Sequence, residues 1–311
     1  MARCLLLEKS NVKEFLDSFD TILTDCDGVL WEGAADYPIP GVPETIQQLK
    51  KMGKRVFYVS NNSTKTRAEY VVKCQKLQYD TTEEEVVGSA YATAQYVKHT
   101  LGYKGKVYII GSSGIAGEFD AAGIPHFGVG EDGWNGRGLR DLLDIKIDPE
   151  VKCVVVGFDL HFNYVKLFTA QQYLSDPECL FIATNTDSAL PAGGGGILPG
   201  TGAIVSAVEF STGRQATVCG KPHNPLGDIL VQQHGINPKR TIMIGDRLDT
   251  DMALAHNCGM RGLLVLTGFT KLEDARRLTA SNSIAHQKQI PHYYLPSLVD
   301  LGKLITECGL V

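Results

Sequence analysis

Two aspartates stand two positions apart, directly after a short apolar run. Asp25 and Asp27 follow Thr21–Thr24, and because side chains alternate along an extended chain, both carboxylates project to one side while Cys26 points to the other. Two carboxylates placed so close repel each other unless a cation or a shared proton lies between them. The pair fits a Mg²⁺ site with a nucleophile beside an acid/base, and it also fits an Asp-Gly turn that ends a strand.

A second acidic segment, GDRLDTD at 245–251, follows the apolar run Thr241–Ile244. Its carboxylates suit a hard cation that prefers oxygen ligands. An acidic helix start accounts for one or two of them, since Asp is favoured at the beginning of a helix. We assign Asp249 to such a helix start, which leaves Asp246 and Asp251 as candidates for a cation site.

Donors suited to phosphate oxygens follow two other apolar runs. Ser60 and Asn61 come after Arg55–Val59 and offer a hydroxyl, a side-chain amide and backbone N–H groups, although these residue types are also typical of a turn. Lys221 precedes a proline, so the chain cannot continue as a sheet strand there. A lone lysine is usually solvated, whereas one that shares a crevice with carboxylates and phosphate donors stabilises charge.

The elements that must position these residues alternate between short apolar runs and helical patterns, which predicts an α/β fold of parallel strands and crossover helices. Ligands of open parallel sheets bind outside the carboxyl ends of the strands, so four polar strand ends predict a single site. His292–Pro296 is predicted to begin a final edge strand followed by a short helix. The predicted strands are Thr21–Thr24, Arg55–Val59, Val107–Ile110, Lys152–Val156, Leu180–Ala183, Thr217–Cys219, Thr241–Ile244 and Gly262–Leu266.

The four polar strand ends are unevenly distributed, which predicts one domain inserted into another. Two of them lie before residue 64 and two after residue 219, and the stretch between them has its own alternation of strands and helices. Turn-rich segments flank this stretch, so we place the insert at residues 101–213, with the surrounding domain formed by 1–100 and 214–311.

The composition of the chain limits the classes of molecule that it is expected to bind. The chain has 311 residues, 43% hydrophobic residues and a formal net charge of −5, which excludes wholesale disorder and gives no general attraction for nucleic acid or a membrane surface. No apolar stretch is long enough to span a membrane and the N-terminus is not a secretory signal, so we expect a cytoplasmic protein. GxGxxG at 128–133 lacks a preceding strand, so a dinucleotide site is not predicted, and the partner expected is a small molecule.

Taken together and in this order, the four segments resemble the motifs of the haloacid dehalogenase-like (HAD) phosphatases. The stretch between the second and third motifs is similar to the C2-type cap of that family. The resemblance extends to the branch with phosphoglycolate phosphatase, pyridoxal phosphate phosphatase (chronophin) and the 4-nitrophenyl phosphatases. It implies a Rossmann-like parallel-sheet HAD core with an inserted α/β C2 cap. The motifs are DCDGVLW at 25–31, SNNS at 60–63, Lys221, and GDRLDTD at 245–251.

The resemblance implies a Mg²⁺-dependent phosphatase that forms an aspartyl phosphate. Asp25 would attack phosphorus, and Asp27 would protonate the leaving alkoxide and then deprotonate the hydrolytic water. Asp251 would orient a ligand of the metal rather than bind the metal itself. The implied metal ligands are Asp25, the backbone carbonyl of Asp27, and Asp246. The residues implied to hold the equatorial phosphate oxygens are Ser60, Asn61 and Lys221.

Substrate choice would depend on the cap. The segment 184–191 resembles the specificity loop of this branch, and Leu190 falls where a pyridoxal phosphate phosphatase is expected to carry a histidine. An aliphatic residue there favours a small aliphatic phosphate monoester, as in phosphoglycolate phosphatase. The glycines Gly193–Gly196 depart from both branches and leave the effect of this loop on specificity open. The loop residues implied to act on specificity are Asn185, Asp187 and Leu190.

Alternative functions stay open at this point. Pyridoxal phosphate is the second substrate candidate, and a phosphotransferase on the same fold would use an acceptor hydroxyl in place of water, which Asp27 permits equally. The length of the chain and the order of its motifs count against a receiver-like domain. Relatives often dimerise through the cap, so the resemblance also implies a homodimer.

Overall fold

The structure, a computed structural model, describes residues 4–32, 37–136, 138–191 and 196–310. Gly193–Gly195 of the glycine run noted above lie outside the described residues. The strands are β1 (Leu5–Leu6), β2 (Thr21–Thr24), β3 (Arg55–Ser60), β4 (Val86–Gly88), β5 (Val107–Ile110), β6 (His126–Phe127), β7 (Cys153–Val156), β8 (Leu180–Ala183), β9 (Ala189–Pro191), β10 (Ile197–Pro199), β11 (Thr217–Val218), β12 (Thr241–Gly245), β13 (Arg261–Val265) and β14 (Tyr293–Leu295).

Helices separate most of these strands, which gives the α/β class predicted from the sequence. The α-helices are α1 (Val12–Asp17), α2 (Val42–Lys51), α3 (Arg67–Lys76), α4 (Ser89–Gln95), α5 (Ser113–Ala122), α6 (Leu139–Leu143), α7 (Tyr164–Leu174), α8 (Thr201–Thr212), α9 (Asn224–His234), α10 (Ala253–Asn257), α11 (Leu272–Thr279), α12 (Ile284–Gln287) and α13 (Leu298–Glu307). A π-helical turn at Leu248–Met252, which carries Asp249 and Asp251, leads into α10.

The larger sheet has seven parallel strands in the order β1-β14-β13-β12-β2-β3-β4. The central strands β2 and β12 are buried along their whole length and largely apolar because both faces of the sheet are covered. Alternate side chains enter different cores: Ile22 and Ile242 pack on one face, and Leu23 and Met243 pack on the other. This arrangement places the carboxyl ends of β12, β2 and β3 side by side.

A second sheet has five parallel strands in the order β11-β8-β7-β5-β6. It has its own two-faced core, in which Val154 and Val156 pack on one side and Cys153 and Val155 on the other. The antiparallel pair of β9 and β10 forms a separate hairpin that follows β8. Every strand of this region lies between Val107 and Val218, inside or just beyond the predicted insert, whose limits at 101 and 213 stay a prediction.

Helix α5 of the second region packs directly against the larger sheet's loop after β3. A Cβ atom added at Gly114 would fall on the backbone of Thr64 and Lys65, so only glycine permits this close approach. The Ser112 hydroxyl donates to the Ser63 carbonyl at 3.0 Å. The loop that carries Ser60 and Asn61 is therefore held from the other sheet.

The predicted strands agree with the structure to within one residue at either end, and three details differ. The GxGxxG segment at 128–133 was expected to have no strand before it, but β6 ends directly before it, because a strand of two residues leaves no apolar run in the sequence. β14 was predicted to be an edge strand, but it lies between β13 and β1. The edge strand is β1, which has only two residues and is too short to be recognised from the sequence. β11 was predicted to end in the same sheet as the other polar strand ends, but it pairs with β8 in the second sheet.

Within the described residues, the longest helix has far too few residues to cross a bilayer, and none qualifies as a membrane span.

Candidate active site

The predicted site residues of the larger sheet converge at the carboxyl ends of three adjacent strands. Asp25 follows β2, Ser60 ends β3 and Asp246 follows β12. The backbone N–H of Asp25 donates to the Ile244 carbonyl at 2.8 Å, which extends the pairing of β2 with β12 up to the site. All three side chains are buried, so the strand order alone brings carboxylates and a hydroxyl into one pocket.

Lys221 reaches this pocket from the second sheet. Its Nζ lies 2.6 Å from Asp25 Oδ1 and 2.8 Å from Asp251 Oδ1, and it donates to the Val59 carbonyl at 3.1 Å. The side chain is 3% exposed. One buried ammonium thus joins carboxylates that follow two different strands, and the segment after β11 contributes to the site from outside the larger sheet.

The acidic cluster has the composition of a site for a hard divalent cation. Asp25, Asp246 and Asp251 each offer an oxygen within 4.8 Å of the others. Asp246 Oδ2 accepts from the Phe269 N–H at 2.6 Å, while Asp246 Oδ1 is buried without a hydrogen-bond partner. Since an unpaired buried carboxylate oxygen is costly and oxygen ligands suit Mg²⁺ and related cations, these residues fit a bound divalent metal.

The pKa values describe the same excess of negative charge. Burial raises the pKa of Asp246 well above its usual range, and Asp25 and Asp251 raise it further. Burial also raises the pKa of Asp25, against the lowering effect of Lys221. For Lys221, burial lowers the pKa, but Asp25 and Asp251 outweigh burial and the pKa is raised. One lysine does not neutralise three buried carboxylates, and a divalent cation would relieve the imbalance.

A glycine brings the backbone that follows Asp27 up to Asp246. Gly28 has a φ of +83°, and a Cβ atom there would lie 2.8 Å from Asp246 Oδ2. The Thr267 hydroxyl donates to the Gly28 carbonyl at 2.6 Å and fixes this turn. The peptide after Asp27 therefore passes beside the acidic cluster, as the implied role of its backbone carbonyl requires.

Ser60 is arranged as a donor. Its Oγ accepts from the Tyr70 hydroxyl at 3.0 Å and from the Asn62 N–H at 3.1 Å. Because a hydroxyl has two acceptor sites and one hydrogen, these contacts leave the Ser60 hydrogen for another acceptor. Tyr70 is buried and holds this orientation from helix α3, so a phosphate oxygen is a suitable partner.

Asn61 uses its side chain within the protein. Its Nδ2 donates to Asp187 Oδ1 and to the Lys221 carbonyl, both at 3.0 Å, and its Oδ1 accepts from the Lys221 N–H at 2.8 Å. Both amide hydrogens are thereby occupied. The sequence suggested a phosphate-binding amide, whereas this geometry makes the side chain a clamp on Lys221 and leaves the backbone N–H of Asn61 for a ligand.

The predicted specificity loop lies against the same clamp. Asn185 is buried and donates to the Asn61 carbonyl at 2.8 Å, and it accepts from the Asp187 N–H at 3.1 Å. Burial raises the pKa of Asp187, an effect that its hydrogen bond with Asn61 opposes. Leu190 is partly exposed on β9, paired with Leu198 of β10. Of the three loop residues, Asn185 and Asp187 contact the site directly.

Sequence reasoning missed several residues that shape the site. Trp31 donates from its indole Nε1 to Asp27 Oδ1 at 2.7 Å, Tyr70 orients Ser60, and Phe269 holds Asp246. A buried tryptophan near a reactive carboxylate was the one available signal, because a buried indole N–H needs an acceptor. The other two contacts join residues 10 and 23 positions apart that lie in different elements, so no local pattern marks them.

Comparison with known proteins identifies the family. A family described as haloacid dehalogenase-like hydrolase matches residues 22–125, and one described as HAD-hydrolase-like matches residues 218–301. The chain is 42% identical over 307 residues to glycerol-3-phosphate phosphatase of Mus musculus, covering 96% of this chain and 95% of that protein. The chain belongs to the haloacid dehalogenase-like hydrolases. Among HAD proteins it is also 37% identical over 306 residues to human chronophin, covering 97% of this chain and 98% of chronophin.

Solved HAD structures share this fold over more than nine-tenths of the chain. The 4-nitrophenylphosphatase of Thermotoga maritima aligns with a TM-score of 0.75 and 29% identity, covering 93% of this chain and 98% of that one. The glycerol phosphate phosphatase of Mycobacterium tuberculosis, solved in complex with magnesium, aligns with a TM-score of 0.75 and 27% identity, covering 92% of this chain and 77% of that one. The chain is a HAD phosphatase of small phosphate substrates, with a parallel-sheet core and a C2-type cap.

Proposed function

We propose that this protein is a Mg²⁺-dependent phosphatase that hydrolyses small phosphate monoesters through an aspartyl phosphate on Asp25. The observation that carries the proposal is the cluster of Asp25, Asp246 and Asp251, whose oxygens lie within 4.8 Å of one another with Asp246 Oδ1 unpaired. Bound Mg²⁺, held by Asp25, Asp246 and the Asp27 carbonyl, would offset the repulsion between the nucleophile and an anionic substrate. Asp251 would orient a ligand of that metal.

The chain's own residues perform the displacement. Asp25 attacks phosphorus, and the ammonium of Lys221, 2.6 Å from Asp25 Oδ1, opposes the rise in the pKa of this carboxyl and stabilises charge on the phosphoryl oxygens. The Ser60 hydroxyl and the Asn61 backbone N–H complete the phosphate site. Positioning and electrostatics supply most of the rate enhancement in phosphoryl transfer.

Asp27 acts as the acid and then as the base. Its side chain is partly exposed, in contrast to the buried carboxylates of the acidic cluster, so it is open to a leaving group. Burial raises the pKa of Asp27, against the lowering effect of the nearby Lys73, which favours a carboxyl that can hold the proton before transfer. The proton moves to the leaving oxygen and is later replaced from the attacking water.

For the substrate, we propose a small aliphatic phosphate monoester, with glycerol 3-phosphate and phosphoglycolate as the first candidates. The 42% identity to a glycerol-3-phosphate phosphatase and the aliphatic Leu190 support this class. Pyridoxal phosphate is the alternative, and the 37% identity to chronophin keeps it in the test.

We also propose that the cap mediates a homodimer, with the cap limits at 101 and 213. Ile197 of β10 is 70% exposed, which supports an apolar contact on the cap. Sedimentation analysis of the wild type and of the Ile197→Asp variant tests it: we expect a dimer for the first and a monomer for the second. A monomeric wild type at micromolar concentration contradicts the proposal.

The proposed activity is tested by phosphate release in Mg²⁺ from glycerol 3-phosphate, phosphoglycolate, pyridoxal phosphate and nucleotides, with Asp25→Asn as the blank. We expect an aliphatic monoester to be cleaved fastest and the blank to be inactive. A folded Asp25→Asn variant that keeps more than a few per cent of the activity contradicts the aspartyl phosphate. Added alcohols separate hydrolysis from the phosphotransferase alternative, because a transferase produces new phosphate esters in place of free phosphate.

A further inference from the structure

Trp31 is a fully buried side chain with a polar contact to the proposed acid/base. Its indole Nε1 donates to Asp27 Oδ1 at 2.7 Å, and its exposed fraction is 0%. A backbone carbonyl would satisfy a tryptophan that served packing alone. Here the acceptor is the carboxyl group that must exchange a proton with the substrate.

The turn between these two residues fixes their relation through the backbone. The Cys26 carbonyl accepts from the N–H groups of Leu30 and Trp31 at 2.9 and 3.3 Å, and the Gly28 N–H donates to the Trp31 carbonyl at 2.7 Å. Trp31 therefore returns beside Asp27 after one tight loop. The indole and the carboxyl group are held as a unit rather than brought together by flexible side chains.

The indole is itself held between a cation and an aromatic ring. Lys73 Nζ lies 4.4 Å from the centre of the Trp31 ring, and Tyr79 packs edge-on at 6.1 Å. The Tyr79 hydroxyl donates to the Leu30 carbonyl at 2.7 Å and so fixes the same turn. A cation over an indole draws electron density from the ring, which makes the N–H a stronger donor.

We propose that Trp31 is a positioning residue for Asp27: it holds Oδ1 so that Oδ2 is the oxygen that carries the proton to the leaving group, and Lys73 strengthens this hydrogen bond. The inference rests on the proposed function. In the first step a bond forms between Asp25 and phosphorus, the bond from phosphorus to the leaving oxygen breaks, and the proton on Asp27 Oδ2 moves to that oxygen. The indole N–H stabilises the negative charge that Asp27 gains.

The way in which kcat/KM depends on the leaving group distinguishes a positioning role of Trp31 from a packing role. An alkoxide needs a proton as it departs, whereas 2,4-dinitrophenolate leaves without one. We measure kcat/KM, which covers only the steps up to departure of the leaving group and so excludes hydrolysis of the aspartyl phosphate. Trp31→Phe should lower kcat/KM for glycerol 3-phosphate about 10- to 100-fold, the range of a hydrogen bond to a developing charge, with less than about a threefold loss for 2,4-dinitrophenyl phosphate.

Two further variants keep the test valid if Trp31→Phe folds poorly. Replacing Trp31 by 3-benzothienylalanine keeps the bicyclic shape and removes the N–H, so it should give the same selective loss. Lys73→Met keeps the apolar stem and removes the cation, with an expected selective loss of about threefold. Lys106→Met is the matched control, because Lys106 lies 4.6 Å from the Phe127 ring in the cap, and its kcat/KM values should equal those of the wild type.

A proton NMR spectrum reports the hydrogen bond between Trp31 and Asp27 without any need for turnover. The chain has two tryptophans, so in a Trp134→Phe background the remaining indole N–H signal belongs to Trp31. Asp27→Ala should move its proton resonance upfield, and Lys106→Met should not. Equal losses on both substrates, or an indole signal unmoved by Asp27→Ala, overturn the inference. A wild type that hydrolyses neither substrate refutes the proposed function instead.

Discussion

Glu118, on helix α5 of the cap domain, accepts a hydrogen bond from the N-terminus of helix α3 in the core domain. Its Oε1 accepts from the Arg67 N–H at 2.6 Å and its Oε2 lies 3.2 Å from the Arg67 Nε, with the Glu118 side chain 4% exposed. Arg67 begins helix α3, directly after the loop that carries Ser60 and Asn61. The carboxylate thus satisfies one of the unpaired N–H groups at the start of α3 and fixes the phosphate loop against the cap.

Removal of this carboxylate should loosen the phosphate loop. Glu118→Ala leaves the Arg67 N–H and guanidinium without their partner, so we expect a loss of about 3 kcal/mol in the free energy of unfolding and a severalfold rise in KM. Glu118→Gln keeps an acceptor for the N–H and should lose about 1 kcal/mol. Urea unfolding and steady-state kinetics measure both. Equal losses in the two variants would show that the charge, and not the helix cap, matters.

Metal binding should be visible in stability as well as in activity. EDTA should abolish turnover and Mg²⁺ restore it, because the clustered carboxylates need a cation. Mg²⁺ at about one hundred times its Kd should also raise the free energy of unfolding by about 2.7 kcal/mol. Turnover that is insensitive to chelation contradicts the metal role.

Asp246→Asn should remove that Mg²⁺-dependent stabilisation. Without metal, the variant should be at least as stable as the wild type, since it removes one of three buried carboxylates whose mutual repulsion and burial raise the pKa of Asp246. Asp249→Asn is the matched control: Asp249 is 54% exposed, pairs with Arg247 and lies outside the cluster of three. Thermal unfolding with and without Mg²⁺ measures the effect, and an unchanged Mg²⁺ response in Asp246→Asn would exclude this residue as a ligand.

Leu190 should influence the choice between aliphatic and aromatic substrates. Leu190→His supplies a polar aromatic ring on the cap, so the ratio of kcat/KM for pyridoxal phosphate to that for glycerol 3-phosphate should increase. Leu143→His is the control, because Leu143 lies on α6 of the cap, is 75% exposed and is outside the segment 184–191. An unchanged substrate ranking in Leu190→His would count against this residue as a specificity determinant.

The sequence predicted those parts of the site that depend on local pattern. Asp25 and Asp246 follow short, largely apolar strands that are buried in a parallel sheet, and such strands can be recognised from the sequence. The position of Lys221 could not be predicted in this way, because β11 has two residues and its partner strand is decided by tertiary pairing. Local pattern marks the end of a strand but not the sheet to which a short strand belongs.

Contacts between side chains that are distant in the sequence could not be predicted either. Asn61 has the residue type of a phosphate donor, and only the fold reveals that Lys221 and Asp187 occupy its amide hydrogens. The assignment of Asp249 away from the acidic cluster was correct because the helix-start argument is local. The cytoplasmic location stays a prediction.

The stacked pair His256 and His292 should make the free energy of unfolding depend on pH. The His292 Nδ1 accepts from the Gly262 N–H at 3.1 Å, so the folded state requires this nitrogen unprotonated. The ring stacks on His256, with 5.4 Å between the ring centres. Burial, with smaller contributions from His256 and Arg261, lowers the pKa of His292 to about 4. The folded protein therefore holds His292 neutral over a range in which an unfolded chain would protonate it.

The sign of the effect follows from proton binding. Between the unfolded value of about 6.5 and the folded value, the unfolded chain binds more protons, so stability is complete above about pH 6.5 and falls as the pH decreases. The slope is at most about 1.4 kcal/mol per pH unit, and partial exposure of the ring reduces it. His292→Asn offers an oxygen near the place of Nδ1 and does not titrate, so its urea midpoint should fall less than that of the wild type between pH 6.5 and 4.5. Parallel pH curves for the two proteins would assign the acid sensitivity to other groups.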